Sequence, residues 1–335
     1  MASFSTQVDN VHMNLAGIQT LRGVAANLVV LFHCFEIGLL PKYGFKHEFD
    51  SLNFFSNFWS GVDLFFCISG FVMCYSYLGS NVSGRDYFLA RIFRIVPLYW
   101  IVTTTNFAII SVFGLEPDFG WFFQSLFFSV NLDNRLPILA AGWTLQYEMF
   151  FYLVFAAVLV LFKRNRLAIL ILMLLVTIIM QNKHLIVLEF IFGCIAYFLY
   201  KLKFTRRFKV QIFCLFIAIY IVSLIAIDSS FASDYRVLLF GIPSLFVVAA
   251  VANMRMPKHS FQIVGSYSFS LYLVHFQMLS LIFKFYDKFM PESTSAAVLI
   301  FIGIVACNLA GFVTWKYMEA PITNYFRSKF LHKST

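Results

Sequence analysis

An arginine and a histidine inside one apolar run are the first residues of this sequence able to do chemistry. The run Gly17 to Gly38, GIQTLRGVAANLVVLFHCFEIG, carries Arg22 and His33. On a helix, their spacing corresponds to roughly 16 Å along the axis and only about 20° of rotation, so both face the same way. A permanent cation near one membrane surface and an imidazole further in would line a polar path through lipid. The alternative is that Arg22 reaches back to the surface and His33 packs with a hydrogen bond.

Two carboxylates come to a similar depth as His33 once the chain is oriented by its charges, as argued below. Asp63 in WSGVDLFFCISGF and Glu148 in GWTLQYEMFFY each enter their spans from the outer side. Both lie roughly 6 to 10 Å below the outer boundary, as His33 does. A carboxylate beside a histidine orients the ring and fixes its tautomer, which suits the ring to take a proton from a hydroxyl. The competing role for each acid is an ion pair or hydrogen bond that ties helices together.

A second group is basic. In GRDYFLARIFRIVPLYW, Arg91 and Arg94 are three residues apart and share a helix face. Two guanidinium forks above a helix start would clamp a phosphate, whereas positive anchoring at the cytoplasmic surface is the alternative. Pro97 within the same helix should kink it and expose backbone to a cavity. The neighbouring Tyr99 and Trp100 serve either packing or stacking. Further on, SYSFSLYLVHF places Tyr267, Tyr272 and His275 in one span, with Tyr272 and His275 on one face and His275 near mid-membrane. His275 is a packing residue or part of a site with equal weight. Glu319 and Pro321 close the last span in WKYMEAP.

These residues must be positioned by membrane helices. The chain is 61% hydrophobic and 12% charged with a mean hydropathy of +0.81, whereas soluble domains are about one-quarter charged. Ten candidate spans follow from the apolar runs: 18–39, 58–78, 86–113, 142–162, 167–181, 185–200, 210–227, 235–252, 266–285 and 296–318. The fold class is thus all-α, a polytopic bundle of about ten transmembrane helices forming a single domain over residues 1–335. Spans 5 and 6 are short and joined by a tight loop at 182–184. Residues 119–130, aromatic and too short to cross, form an interfacial helix.

Placing both termini in the cytoplasm puts sixteen of the 25 Lys and Arg residues in the cytoplasmic loops and tail, against six outside. The positive-inside rule selects that orientation, with residues 1–17 and 319–335 as cytoplasmic segments. The first residues lack a basic n-region and a small-residue cleavage site, so no cleaved signal peptide is expected. A net charge of +9 therefore reports orientation rather than nucleic-acid binding. The six cysteines fall in apolar stretches with no CxxC pair. They read as buried small hydrophobes, with no metal site and no disulfide framework.

Taken together, LRGVAANLVVLFH, GVDLFFCISGF, RIFRIVPLYW, WTLQYEMFFY, SYSFSLYLVH and YMEAP resemble, in order and across essentially the whole chain, the bacterial membrane-bound acyltransferase 3 family. Within it the sequence is most similar to the stand-alone O-acetyltransferases of exopolysaccharide, capsule and O-antigen. The resemblance implies an enzyme of the bacterial cytoplasmic (inner) membrane that takes acetyl-CoA from the cytoplasm. Its acceptor would be a sugar hydroxyl, on a polysaccharide or a lipid-linked oligosaccharide, at the outer side. The family's first-span arginine and histidine match Arg22 and His33, its paired arginines match Arg91 and Arg94, and its WTLxxE motif matches Trp143, Thr144 and Glu148. Its GVDxFF motif matches Asp63. The extra span and secreted hydrolase-like domain of fused members are lacking.

The implied mechanism holds the acetyl-CoA phosphates on Arg91 and Arg94 with help from Arg22, and uses His33, oriented by Glu148 or Asp63, as general base. Tyr272, Trp143 and Thr144 are candidate oxyanion donors, and an acetyl-histidine intermediate is a second route. Two other classes compete. A transporter or flippase of a lipid-linked sugar would also line a path with charge, but no inverted repeat is visible. A structural subunit of an assembly complex has little use for so many ionisable residues within spans.

Overall fold

A computed structural model of the chain describes residues 16–40, 53–112, 118–130, 135–181, 185–204, 207–254, 256, 261–289 and 295–331. Among these there are helices and turns and no strand. The helices are α1 (Ala16–Gly38), α2 (Gly61–Tyr77), α3 (Gly84–Val112), α4 (Phe119–Leu126), α5 (Gly142–Leu161), α6 (Arg166–Gln181), α7 (Leu188–Lys201), α8 (Lys209–Ala226), α9 (Ser229–Asp234), α10 (Ile242–Ala252), α11 (Gln262–Phe289), α12 (Ala296–Thr314) and α13 (Ala320–Phe330). A 3-10 segment, Asn53–Ser60, leads into α2, and single π turns, Val237–Gly241 and Trp315–Glu319, precede α10 and α13.

All ten apolar stretches read from the sequence are helical, but among the described residues seven helices are long and apolar enough to cross a membrane. The remaining three, α6, α7 and the Val237–Ala252 segment, are shorter. The tight loop at 182–184 and the N-terminal segment lie outside the described residues. The sequence ends the last span at residue 318 and assigns 319–335 to a cytoplasmic tail, whereas the last helix continues through the π turn to Phe330. Phe326 of α13 stacks on Phe93 of α3 at 5.2 Å and Phe330 meets it tilted at 5.5 Å, and that aromatic contact is what the tail's own sequence did not advertise.

Glycines set the closest helix crossings. A Cβ at Gly193 of α7 would overlap the Cys67 carbonyl oxygen of α2, and one at Gly70 would overlap the Phe190 carbonyl oxygen in return. With no hydrophobic drive between helices in lipid, such backbone-to-backbone approach is a main source of packing energy. The thiols of Cys74 and Cys194 also meet across this seam at 3.4 Å. Gly265 of α11 plays the same part against the Gln19 carbonyl of α1. A polar thread joins α1, α11 and α12: the Asn308 amide donates to Asn27 Oδ1 at 2.8 Å, and the Tyr267 hydroxyl donates to Asn308 Oδ1 at 3.1 Å. Outward-facing side chains of α8, such as Leu215, Val222 and Ile225, are exposed and apolar, as lipid contact requires. Cys214 on that helix is exposed as well, so five of the six cysteines, not all, are buried.

The interfacial helix is shorter than expected, Phe119–Leu126. Asp118 caps it by accepting from the backbone N–H groups of Gly120 and Trp121 at 2.9 and 3.1 Å. These bonds, with Arg135 at 3.4 Å, hold its carboxyl below the usual carboxylate range. Tyr99 and Trp100 bind the end of α4, donating to the Ser125 and Leu126 carbonyls at 2.8 and 2.9 Å. Their role is therefore docking.

Candidate active site

α1, α2, α3, α5 and α11 surround a cleft of about 800 Å³ including its open mouth. Arg22, Arg91 and Arg94 line it, together with Ser69, Thr144, Glu148, Tyr152 and Tyr272. Apart from Ser268, the remaining lining is apolar, contributed largely by α2 through Val62, Phe65, Phe66, Ile68, Val72 and Met73. Six of the ten sequence-derived candidates thus share one cavity. His33, His275, Asp63 and Trp143 do not line it.

The three arginines are held differently. Arg91 is 7% exposed. Its Nη2 donates to the Tyr77 hydroxyl at 3.1 Å, and its Nε has no partner. Arg22 lies in the electrostatic field of Arg94, Glu319, Tyr152 and Glu148. Glu319, buried at the end of the π turn, accepts from the Ser270 hydroxyl at 2.6 Å. One expectation needs correcting here. α3 begins at Gly84, which places Arg91 about 10 Å and Arg94 about 15 Å along the axis from its first turn. The start of α3 therefore does not lie beside the two guanidinium groups, contrary to the expectation of a joint phosphate clamp.

Glu148 and Asp63 do not meet His33. The Glu148 carboxylate accepts a short hydrogen bond from the Tyr152 hydroxyl, one turn on, and a second from Ser69 Oγ at 3.3 Å. Asp63, 0% exposed, takes a two-pronged ion pair from Arg236, Nε to Oδ1 at 3.0 Å and Nη2 to Oδ2 at 2.8 Å. Glu189 of α7 lies 3.8 Å from the same Arg236, which also stacks on Trp59 at 4.8 Å. Depth alone had grouped these acids with the histidine. Rotation about each helix turns them toward other neighbours. Trp143 packs on Tyr147, ring centroids 6.1 Å apart.

His33 instead pairs within its own helix. Its Nδ1 lies 2.8 Å from Glu36 Oε2, three residues on, a contact visible in the spacing. Its ring lies against His275 of α11, with centroids 5.1 Å apart and planes at 31°. His275 is 1% exposed, and its Nδ1 sits 2.7 Å from the Tyr272 carbonyl oxygen. The Tyr272 ring lies 5.6 Å from His275, and its hydroxyl is 2.9 Å from Thr144 Oγ1 inside the cleft. A continuous line of side chains thus runs from the cleft through Tyr272 and His275 to His33 and Glu36. Sequence reasoning missed Glu36, Tyr152 and Arg236. The first two stand three and four residues from a flagged position, while Arg236 is brought in from a distant segment and gave no local signal.

Membrane-length helices around an internal cleft that carries three arginines make this a multi-pass membrane protein with a buried polar site. The chain belongs to the acyltransferase 3 family, whose model, described as an acyltransferase domain, matches residues 15–314. It is similar to the exopolysaccharide production protein ExoZ of Rhizobium meliloti (strain 1021), 27% identical over 301 residues covering 81% of this chain and 91% of that one. It is also similar to a putative acetyltransferase, ORF330, of Acidianus two-tailed virus, 30% identical over 139 residues covering 41% of this chain and 38% of that one. No solved structure matches.

Proposed function

We propose that this protein is an acyl-CoA-dependent O-acyltransferase that moves an acetyl group from cytoplasmic acetyl-CoA to a sugar hydroxyl. The acceptor is a cell-surface polysaccharide or its lipid-linked precursor. The observation that carries this reading is the cleft, which has three arginines in its wall and leads through Tyr272 to a histidine pair. Family membership supports acyl transfer, and the name of the Rhizobium relative supports a polysaccharide acceptor. We further propose ten crossings, seven by the long helices and three by the shorter ones, in the bacterial inner membrane. Both termini are cytoplasmic in this reading, as the distribution of Lys and Arg favours.

In this mechanism Arg91 and Arg94, helped by Arg22, hold the donor phosphates through charge-assisted hydrogen bonds, and the pantetheine arm follows the apolar wall of α2. His33 takes the proton from the acceptor hydroxyl, whose oxygen attacks the thioester carbonyl. The Tyr272 and Thr144 hydroxyls donate to the oxyanion that develops. Collapse of the tetrahedral species expels the CoA thiolate, which recovers the proton from His33. Asp63 is assigned to the helix-tying ion pair with Arg236, and Glu148 to the donor channel.

The test is release of free CoA and acyl transfer by the purified protein in nanodiscs, with acetyl-CoA and polysaccharide acceptors. Wild-type turnover that is lost in His33→Ala and weakened in donor affinity by Arg91→Ala with Arg94→Ala supports the reading. Absence of both acetyl-CoA binding and turnover overturns it and directs attention to transport of lipid-linked sugars.

A further inference from the structure

Two imidazoles lie against each other beside the cleft, and the contacts of each fix which nitrogen carries its hydrogen. A backbone carbonyl only accepts, so His275 Nδ1, 2.7 Å from the Tyr272 oxygen, carries the hydrogen. Its Nε2 therefore holds a lone pair, buried and without a partner. A carboxylate likewise only accepts, so His33 Nδ1, 2.8 Å from Glu36 Oε2, carries a hydrogen, which makes Nε2 the basic nitrogen of the neutral ring.

The two rings share a tautomer and differ in what they can do next. His33 is one-quarter exposed and Glu36 about half exposed at their side chains, whereas His275 is buried. An extra proton on His275 would leave a charge in a dry interior against an aromatic and a backbone carbonyl. An extra proton on His33 would sit on Nε2 of a ring whose Nδ1 is already held by a carboxylate. Among the described residues, the other ring neighbours of His33 are Phe32 at 5.0 Å and Phe276 at 5.5 Å, neither of them charged.

We infer that Glu36 is the positioning residue of the base: it fixes the His33 tautomer, presents Nε2 to the acceptor hydroxyl, and balances the imidazolium that forms. His275 is the uncharged wall that holds the ring in plane. This inference rests on the acyl-transfer reading above for its catalytic part, and on geometry alone for the tautomer.

Two measurements test it. Ring nitrogen-15 spectra of the full-length protein, with the His33 signal identified by its loss in His33→Ala, are expected to show Nδ1 protonated and Nε2 bare. In Glu36→Ala the signal becomes a tautomer mixture. In steady state, Glu36→Ala is expected to lower acceptor-dependent kcat about a hundredfold with the KM for acetyl-CoA within twofold of wild type. Glu36→Asp recovers part of that loss. Adding Glu36→Ala to His33→Ala costs nothing further. A His33 ring with bare Nδ1 in the wild type, or a Glu36→Ala kcat within twofold of wild type, overturns the inference. If the wild type turns over no acetyl-CoA, the acyl-transfer reading falls, while the spectra still decide whether Glu36 sets the tautomer.

Discussion

Asp63 and Arg236 are joined through both prongs of the guanidinium, at 3.0 and 2.8 Å, across 173 residues of chain. The pair ties α2 to the π turn before α10, with Glu189 of α7 3.8 Å from the same cation. Removing one partner of a buried pair leaves the other uncompensated, at a cost of about 3 kcal/mol or more. Asp63→Ala is therefore expected to lower the melting temperature in detergent sharply, while protein that stays folded keeps its KM for acetyl-CoA. A stable Asp63→Ala protein that has lost only kcat would move Asp63 from scaffold to chemistry.

The arginine pair makes the opposite prediction. Each charge-assisted bond is worth about 1.5 to 3 kcal/mol, so Arg91→Ala with Arg94→Ala should weaken acetyl-CoA binding at least about a hundredfold. Thermal stability should fall far less than in Asp63→Ala. Isothermal titration with CoA and with dephospho-CoA separates phosphate contacts from the rest of the donor, and equal affinities for wild type and double variant would remove the clamp.

At the other end of the cleft the Tyr272 hydroxyl and Thr144 Oγ1 lie 2.9 Å apart. If they serve the oxyanion, Tyr272→Phe lowers kcat by about 10- to 100-fold, a range below that of a dedicated oxyanion donor because Thr144 remains. The KM for acetyl-CoA stays near wild type. A changed KM with intact kcat would place Tyr272 in donor binding.

Gly193→Ala tests the α2–α7 seam. The added methyl overlaps the Cys67 carbonyl, a backbone atom that cannot rotate aside, and overpacking of this kind costs about 1 to 3 kcal/mol. We expect a lower melting temperature and poor expression. The same change at Gly79, which has open space around it, serves as the control and should leave both unaltered.

Asp118 gives a pH prediction. Its carboxyl is held below its ordinary range by the Gly120 and Trp121 N–H groups, so its contribution to α4 is complete above the unfolded carboxylate pKa and is lost as pH falls through the lowered folded value. Acidification should loosen α4, read as increased protease cleavage between α3 and α5. Asp118→Asn, which keeps an acceptor oxygen but does not titrate, should abolish that pH dependence.

The membrane helices were legible because run length and hydropathy report them directly, and each apolar stretch became a helix. The site was legible in part. Arg91 and Arg94 share a face by spacing and share the cleft in space. Depth, however, is one coordinate of three. Asp63, Glu148 and His33 were grouped by depth, yet the rotation of α2 and α5 sends the acids to Arg236 and Tyr152. The partners recoverable from sequence were the near ones, Glu36 at three residues and Tyr152 at four. Arg236 depends on how α2 and the π turn pack, which no local spacing encodes.

Arg22 and His33 share a single uninterrupted helix, so roughly 16 Å of rigid rise separates them. That helix is a length gauge. Because Gly265 locks α1 against α11, the gauge cannot be shortened by sliding the helix relative to Tyr272. Under the proposed acyl transfer, a donor truncated to its thioester end would not span the arginines and the histidine together, and would forfeit the anchoring proposed for full-length acetyl-CoA. Under that reading, selection for the carrier is a matter of reach.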